Sequence, residues 1–183
     1  MKVTKTRLEG VLIIEPKVFG DHRGFFKETF QAERYAEAGI NLPFVQDNHS
    51  RSPRGVLRGL HLQKSRPQGK LVSCSRGQVY DVAVDIDPRS ATFGEYVGVE
   101  LSAENHLQLW IPPGYAHGFC VLSEEADFQY KCTDLYFPED EGGLIWNDPD
   151  VAIEWPISDP QLSAKDQQLP TLAQLRAQAE DNG

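Results

Sequence analysis

A short apolar strand is predicted by the stretch Gly55-Val56-Leu57-Arg58-Gly59-Leu60-His61-Leu62-Gln63, which carries one guanidinium and one imidazole. Regular alternation along this strand would place His61 and Gln63 on one face and Arg58 on the other. If Arg58 and His61 bind one ligand, the alternation must be interrupted between them. Gly59 could mark a β-bulge at that point, because a glycine inside a strand often does so.

The residues around this strand form a basic island in an acidic chain. Positions 51 to 70 contain no aspartate or glutamate, and their basic residues are Arg51, Arg54, Arg58, Lys64, Arg66 and Lys70. The whole chain has 27 acidic residues, 18 lysines and arginines, and a formal net charge of −9. The island is therefore either a solvated basic face or a site for an anionic ligand. His61 and Lys70 favour the site, since both can take part in proton transfer.

The overall charge and the hydropathy pattern exclude two classes of partner. A net negative chain is a poor binder of nucleic acid, which requires neutralised phosphates. The longest apolar runs are too short to span a bilayer, and residues 1–7 lead to no apolar segment of a signal peptide. Cys74, Cys120 and Cys132 are odd in number and show no CxxC spacing, so we expect buried, reduced thiols. A cytoplasmic protein without a membrane partner is predicted.

Short strand-like segments recur through most of the chain, separated by turn residues. Strands are predicted at about 11–14, 24–30, 44–50, 55–63, 70–75, 78–86, 95–101, 106–111, 117–122 and 127–137, and helices at 31–38 and 170–180. Arg76-Gly77 is interpreted as a tight hairpin turn. Many short strands with few helices are typical of an all-β sandwich or barrel of the jelly-roll kind. The 183 residues fit one domain, spanning 1–183.

Several polar residues in these predicted strands are candidates for ligand binding or catalysis. Gln46 and Asn48 share a strand face, where two amides suit a polar ligand or simply face solvent at an edge. Lys70 begins an apolar strand, and an inward lysine is costly unless it meets a negative group. A rigid Pro-Pro-Gly turn delivers His117 into a later strand, and Tyr130 lies in an apolar strip where its hydroxyl needs a partner.

Metal binding is disfavoured by the residue that follows His61. The metal-binding form of this β-barrel class uses two histidines one residue apart, with a glutamate and a later histidine. Gln63 occupies the position of the second histidine, and His117 alone cannot complete a site that needs three or more ligands. We therefore expect no metal.

Five motifs then occur in order along the chain. They are Asp21-His22-Arg23-Gly24-Phe25-Phe26-Lys27-Glu28, Gln46-Asp47-Asn48, Arg58-Gly59-Leu60-His61-Leu62-Gln63, Ile111-Pro112-Pro113-Gly114-Tyr115-Ala116-His117-Gly118-Phe119 and Leu162-Ser163-Ala164-Lys165-Asp166. Together they resemble the dTDP-4-dehydrorhamnose 3,5-epimerase family over about residues 3 to 170. The resemblance implies a cupin-type jelly roll with a few short peripheral helices, a homodimer, no metal or other cofactor, and a dTDP-4-keto-6-deoxyhexose substrate in dTDP-L-rhamnose synthesis.

The resemblance also implies roles for individual residues. His61 matches the base that removes the proton beside the 4-keto group, and Asp166 matches its paired acid. Tyr130 matches the proton donor on the opposite sugar face, and Lys70 the residue that stabilises the enolate oxygen. The implied substrate contacts are Arg23, Gln46, Asp47, Asn48, Arg58, His117, Glu141 and Lys165, with Tyr136 stacking on the thymine and Glu28 reaching the neighbouring subunit's site.

Three other functions compete with this interpretation. A related cupin could epimerise one carbon only, or isomerise the keto group, with much the same pocket. A non-catalytic jelly roll could bind a sugar nucleotide or carbohydrate, but it would need no base and acid such as His61 and Tyr130. A metal-dependent cupin oxygenase is disfavoured by Gln63.

Overall fold

Two β-sheets face each other in this computed structural model, which describes residues 1–181. The strands are numbered in chain order. The six-stranded sheet contains, in spatial order, β1 (Lys2–Lys5), β2 (Leu12–Glu15), β10 (Gln108–Ile111), β7 (Lys70–Arg76), β12 (Glu125–Cys132) and β5 (Gln46–Pro53). The five-stranded sheet contains β13 (Glu141–Gly143), β6 (Leu57–Gln63), β11 (Tyr115–Val121), β8 (Gln78–Asp85) and β9 (Tyr96–Ser102). A separate hairpin pairs β3 (Val18–Asp21) with β4 (Gly24–Lys27). The predicted all-β jelly-roll class is confirmed.

The main hydrophobic core fills the space between the two sheets. Val72 and Phe128 of the six-stranded sheet are buried there against Val79 and Phe119 of the other sheet. The rings of Phe119 and Phe128 stack with their centroids 4.0 Å apart. This packing fills the middle of the sandwich.

The outer face of the five-stranded sheet is covered as well. Strand β8 is buried on both sides, since Ala83 faces the main core while Val82 and Val84 pack under the C-terminal segment at Leu144 and Val151. The predicted alternation in this strand therefore separates two buried faces. The C-terminal segment that forms this cover continues along β6, where the Gln161 backbone pairs with Gly55 and Leu57.

The two predicted helices are confirmed. Helix α1 (Ala32–Glu37) begins at Gln31, whose side chain accepts the Arg34 N–H at 2.7 Å, and it ends before Gly39 at a φ of +93°. Helix α2 spans Leu172–Asp181. Within residues 1–181, neither helix is long and apolar enough to cross a membrane. All three cysteines are buried and free, as predicted.

The Arg76-Gly77 hairpin prediction is wrong, because β7 and β8 belong to different sheets. The chain crosses between the sheets there. Gly77 has a φ of +74°, and a Cβ on it would lie 2.1 Å from the Glu125 carbonyl oxygen. Crossover and hairpin both need a compact turn residue, so the local sequence does not distinguish them.

Three further strand predictions differ from the structure. Strand β4 ends at Lys27, so Glu28 and its flanking phenylalanines do not share a strand face. Strand β12 ends at Cys132, and the chain continues as a loop towards a 3-10 turn at Pro138–Asp140. Strands β1 (Lys2–Lys5), β3 and β13 lie outside the predicted segments, and β1 and β3 are exposed along their whole length.

The predicted bulge in β6 is confirmed at Gly59. His117 of β11 pairs with His61, and Phe119 pairs with Arg58, so three steps along β6 match two along β11. The extra residue restores Arg58 and His61 to one side of the strand, as a bulge does.

We predict that Gly59→Ala destabilises the fold more than Gly114→Ala. Both glycines have positive φ, +118° and +105°, so both alanines bear the left-handed strain of roughly 1–2 kcal/mol. Only the Gly59 Cβ would clash, at 2.6 Å from the Gly118 Cα, which adds overpacking of about 1–3 kcal/mol. Urea unfolding of both variants measures the difference, and equal losses would contradict the close packing of the bulge.

Candidate active site

A cavity of about 590 Å³ opens between the two sheets at one end of the sandwich. Strand β6 and the C-terminal segment supply one wall, and strands β5, β7 and β12 supply the opposite wall. The predicted site residues that line it are Gln46, Asn48, Arg58, His61, Lys70, His117, Tyr130, Tyr136, Glu141, Lys165 and Asp166. The structure therefore collects eleven of the fourteen predicted site residues from distant parts of the sequence into one cavity.

An imidazole–carboxylate pair lies on the first wall. His61 Nε2 is 2.6 Å from Asp166 Oδ1, and the second oxygen of Asp166 accepts the Gly59 backbone N–H at 3.2 Å. Burial would raise the pKa of Asp166, but the hydrogen bond and charge of His61 and the Gly59 N–H leave that pKa below its ordinary value. Asp166 is thus a carboxylate at neutral pH. It accepts the Nε2–H, which leaves the lone pair of His61 on Nδ1.

A phenol and an ammonium face this pair from the other sheet. Lys70 and Tyr130 lie on neighbouring strands β7 and β12, whose residues pair in register. Burial lowers the pKa of Lys70, partly offset by the charges of Cys132, Asp81 and Glu141. Burial likewise raises the pKa of Tyr130. Within residues 1–181, Lys70 Nζ forms no hydrogen bond or salt bridge, so it is available to a ligand.

A second histidine pair is buried beneath the first. His117 Nε2 lies 2.9 Å from Asp81 Oδ2, and both side chains are almost fully enclosed. Burial lowers the pKa of His117 despite the adjacent Asp81, with Lys70 and His61 acting in the same direction as burial. His117 is therefore neutral at pH 7 and donates its Nε2–H to Asp81. The other oxygen of Asp81 has no hydrogen-bond partner within the described part of the chain.

The mouth of the cavity carries an aromatic ring and an ion pair. Tyr136 is 47% exposed, and its hydroxyl donates to Glu141 Oε2 at 2.8 Å. The same oxygen pairs with Lys165, and these two contacts help to keep the pKa of Glu141 below its ordinary value against the effect of burial. Glu141 also approaches His61 Nε2 at 3.9 Å. A planar, exposed ring beside a lysine suits a nucleobase attached to phosphates.

The basic island contributes only part of its charge to the cavity. Arg51 is paired with Asp127 at 2.6 Å and Arg66 with Asp134 at 2.7 Å, both outside it. Arg58 lines the cavity, and within residues 1–181 its guanidinium donates only to Ser52 Oγ, at 3.1 and 3.0 Å. Its guanidinium remains available for an anionic group, and guanidinium forks bind phosphate in two-point fashion.

Three predicted site residues do not line this cavity. Asp47 points to the other side of β5, where it pairs with Lys131 at 2.8 Å. Arg23 pairs with Asp21 in the exposed β3–β4 hairpin, and Glu28 lies 3.3 Å from Arg34. The substrate contacts assigned to these three residues therefore stay predictions. For Arg23 and Glu28, such a contact would require a second subunit.

Asp81 and Ser52 are site residues that sequence reasoning missed. Asp81 stands among apolar residues in the middle of a strand, which is the signal that could have found it, since a buried acid requires a partner. Ser52 gives no comparable signal. Gln63 is buried, and in the described part of the chain its side chain forms hydrogen bonds with backbone groups only. Among residues 1–181, no three His, Cys, Asp or Glu side chains are grouped to hold a metal ion.

Comparison with known proteins identifies a single family. The family model described as dTDP-4-dehydrorhamnose 3,5-epimerase matches residues 5–174. The protein of that name from Salmonella typhimurium is 57% identical, over 95% of this chain and 97% of the relative. A solved structure of a dTDP-6-deoxy-D-glucose-3,5-epimerase from Legionella pneumophila, in complex with dTDP-4-keto-L-rhamnose, is 55% identical with a TM-score of 0.93, covering 97% of this chain and 95% of that one. A dTDP-4-dehydrorhamnose 3-epimerase from Streptomyces niveus is 39% identical, over 96% of this chain and 86% of the relative.

We predict that His117→Ala is much more destabilising than Asp81→Asn. Removing the imidazole leaves the buried Asp81 carboxyl without a hydrogen bond, and breaking such a pair from one side costs about 3–5 kcal/mol. Asp81→Asn keeps a polar partner for His117 and removes the charge. Urea unfolding of both single variants and of the double variant measures the coupling. Additive losses would show that the two side chains do not act as a pair.

Proposed function

The chain belongs to the dTDP-4-dehydrorhamnose 3,5-epimerase family, and we propose that it inverts both carbons flanking the ketone of dTDP-4-dehydro-6-deoxy-D-glucose. The product is dTDP-4-dehydro-L-rhamnose, an intermediate of dTDP-L-rhamnose synthesis. One observation carries the proposal: a single cavity has the His61–Asp166 pair on one wall and Tyr130 with Lys70 on the opposite wall. An inversion requires proton removal from one face of a ring carbon and proton delivery to the other.

His61 is the base in this scheme. Its Nδ1 lone pair takes the proton from a carbon beside the ketone, while Nε2–H remains bound to Asp166. The electrons of the broken C–H bond form a C=C bond, and the carbonyl π electrons move onto the ketone oxygen. Asp166 stabilises the resulting imidazolium, as the acid of other His–Asp pairs does. General base catalysis of this kind contributes roughly 10²–10⁴ in rate.

Lys70 and Tyr130 complete the step from the opposite wall. The Lys70 ammonium stabilises the enolate oxygen, which is the group that carries the developing charge. Tyr130 then donates its phenolic proton to the carbon from the other face, and the C=O bond re-forms. The raised pKa of Tyr130 keeps the phenol protonated at neutral pH, as a donor requires. Before the second carbon is inverted in the same way, the Tyr130 phenolate takes a proton from solvent and the His61 imidazolium releases one to solvent.

The remaining cavity residues fit the nucleotide part of the substrate. Arg58 and Lys165 supply positive charge for the diphosphate, and Gln46 and Asn48 supply amides for polar groups. Tyr136 presents its ring at the mouth, where thymine can stack on it. A base–aromatic stack is worth about 1–3 kcal/mol.

A homodimer would account for two of the three predicted residues that do not line the cavity, Arg23 and Glu28. The β3–β4 hairpin exposes three large apolar rings, with Phe19 at 52%, Phe25 at 61% and Phe26 at 68% exposure. Such a patch is a typical protein-interaction surface. Packed against a second copy, the hairpin would carry Arg23 and Glu28 towards the neighbouring site. The three free, buried thiols fit a reducing cytoplasm as the site of action.

Proton NMR in deuterated water tests the proposed reaction. With dTDP-4-dehydro-6-deoxy-D-glucose as substrate, we expect deuterium at both carbons that flank the ketone, together with inverted product. His61→Ala is the control, and it should abolish exchange while affinity stays within about tenfold. Deuterium at one carbon would indicate a 3-epimerase, the activity named for the Streptomyces niveus relative. Binding without exchange would leave only a binding protein.

We predict that Tyr130→Phe separates proton removal from inversion. His61 can still take the proton and return deuterium to the same face, so solvent exchange should continue. Product formation should fall by about 10²–10⁴, the usual contribution of a positioned general acid. Comparing exchange and product rates in one NMR experiment measures both effects. An equal fall in the two rates would remove Tyr130 from the role of separate acid.

We predict that the Lys70 ammonium sets the alkaline limit of turnover. Because burial lowers the pKa of Lys70, kcat should decline at a pH below the value of about 10.4 for an ordinary lysine. Lys70→Arg retains a positive charge at all accessible pH, so its lower activity should lack that decline. Lys70→Met should lose roughly 10²–10³ in kcat. An unchanged alkaline limb in Lys70→Arg would assign it to another group.

A further inference from the structure

Gln63 ties the strand that carries His61 to the loop that carries Tyr136. Gln63 is 4% exposed, and its side-chain amide forms three hydrogen bonds with backbone groups. Nε2 donates to the Arg66 carbonyl at 2.8 Å and to the Leu135 carbonyl at 3.1 Å. Oε1 accepts the Phe137 N–H at 2.7 Å. The three hydrogen bonds of this amide therefore join β6 to Leu135 and Phe137, which flank Tyr136, and to Arg66 in the loop after β6.

Little else fixes the backbone on either side of Tyr136. Leu135 is 49% exposed, and the Arg66 guanidinium lies over the Phe137 ring, 4.2 Å from its centroid. Among residues 1–181, Gln46 is the only other side chain from outside this loop that bonds the backbone of residues 135–137, and it accepts the Tyr136 N–H at 2.9 Å. Gln68 bonds the loop one residue earlier, at the Asp134 carbonyl, at 2.8 Å. The backbone at Tyr136 is therefore held by two amide side chains, Gln46 and Gln63, while the ring itself is anchored at its hydroxyl by Glu141.

The contacts of Gln63 require both ends of an amide. Glutamate could accept the Phe137 N–H, but it would direct a carboxylate at the two carbonyl oxygens to which Gln63 donates. Leucine fills a similar volume and can make none of the three bonds. Each lost bond leaves a buried backbone group unpaired, and that cost can be relieved by movement of the loop.

We infer that Gln63 is a positioning residue that holds Tyr136 in place for the nucleotide base. The inference rests on the proposed function, because it takes the ring of Tyr136 as the thymine subsite. Gln63 borders the cavity, but its amide groups bond the backbone and are not directed at a ligand. It affects nucleotide affinity through Tyr136, whereas proton transfer by His61 and Tyr130 takes place at the sugar, elsewhere in the cavity.

Calorimetric titration with dTDP, together with steady-state kinetics, tests this role. Gln63→Leu should weaken dTDP binding and raise KM by about tenfold, within the range expected for a disturbed base stack. Its kcat should stay within about threefold of the parent protein. Gln63→Glu preserves the size of the side chain and should likewise weaken dTDP binding while leaving kcat nearly unchanged. It provides an independent test if the leucine variant folds poorly. Gln78→Leu is the control, since Gln78 bonds Glu100 across β8 and β9, away from the cavity.

A double-mutant cycle with Tyr136→Ala separates positioning from general stability. If Gln63 acts through Tyr136, Gln63→Leu should cause almost no further loss of dTDP affinity once the ring is removed. The same loss in both backgrounds, or a fall in kcat with unchanged dTDP affinity, would overturn the inference. Because dTDP binding needs no epimerisation, absence of deuterium exchange in the parent protein would refute the proposed function separately.

Discussion

Gly59 donates its backbone N–H to the Asp166 carboxylate at 3.2 Å, and its missing side chain lets β6 approach Gly118 of β11. The geometry of the cavity depends on this contact. The extra residue at the bulge places Arg58 and His61 on one side of the strand, and the same N–H holds the carboxylate that orients His61. One small residue therefore connects the anion-binding side of the cavity with the proton-transfer side. Its φ of +118° is accessible to glycine and strained for other residues.

The two-sheet architecture separates the reacting groups. Facing sheets in a sandwich lie about 10 Å apart, which leaves room for a sugar ring between a base on one sheet and an acid on the other. Burial in the same enclosed wall raises the pKa of Tyr130 and lowers the pKa of Lys70. The phenol therefore stays protonated, and the Lys70 amine is a weaker base than that of an exposed lysine. A substrate that brings negative charge to Lys70 would favour its protonated form. The cavity is thus arranged for charge that appears on a ligand during a reaction.

The sequence predicted the jelly-roll class because the alternation of apolar residues and the turn residues are local signals. The bulge at Gly59 was predictable too, since a strand with Arg58 and His61 facing one ligand requires an irregularity. The crossover at Arg76-Gly77 was not, because sheet membership is decided by distant partners of β7 and β8. The Asp81–His117 pair and the backbone contacts of Gln63 were missed for a similar reason, since they depend on strands and loops far apart in sequence. The resemblance to the family, rather than periodicity, supplied Asp166 and Tyr136.

A crystal structure of the protein with dTDP-L-rhamnose, a product analogue without the reactive ketone, tests the central claim most directly. We predict that the sugar ring lies between the two sheets, with His61 against one face and Tyr130 against the other, and with Lys70 beside the oxygen that corresponds to the ketone. Both side chains on the same face of the ring, or a sugar bound outside the cavity, would contradict the two-wall mechanism.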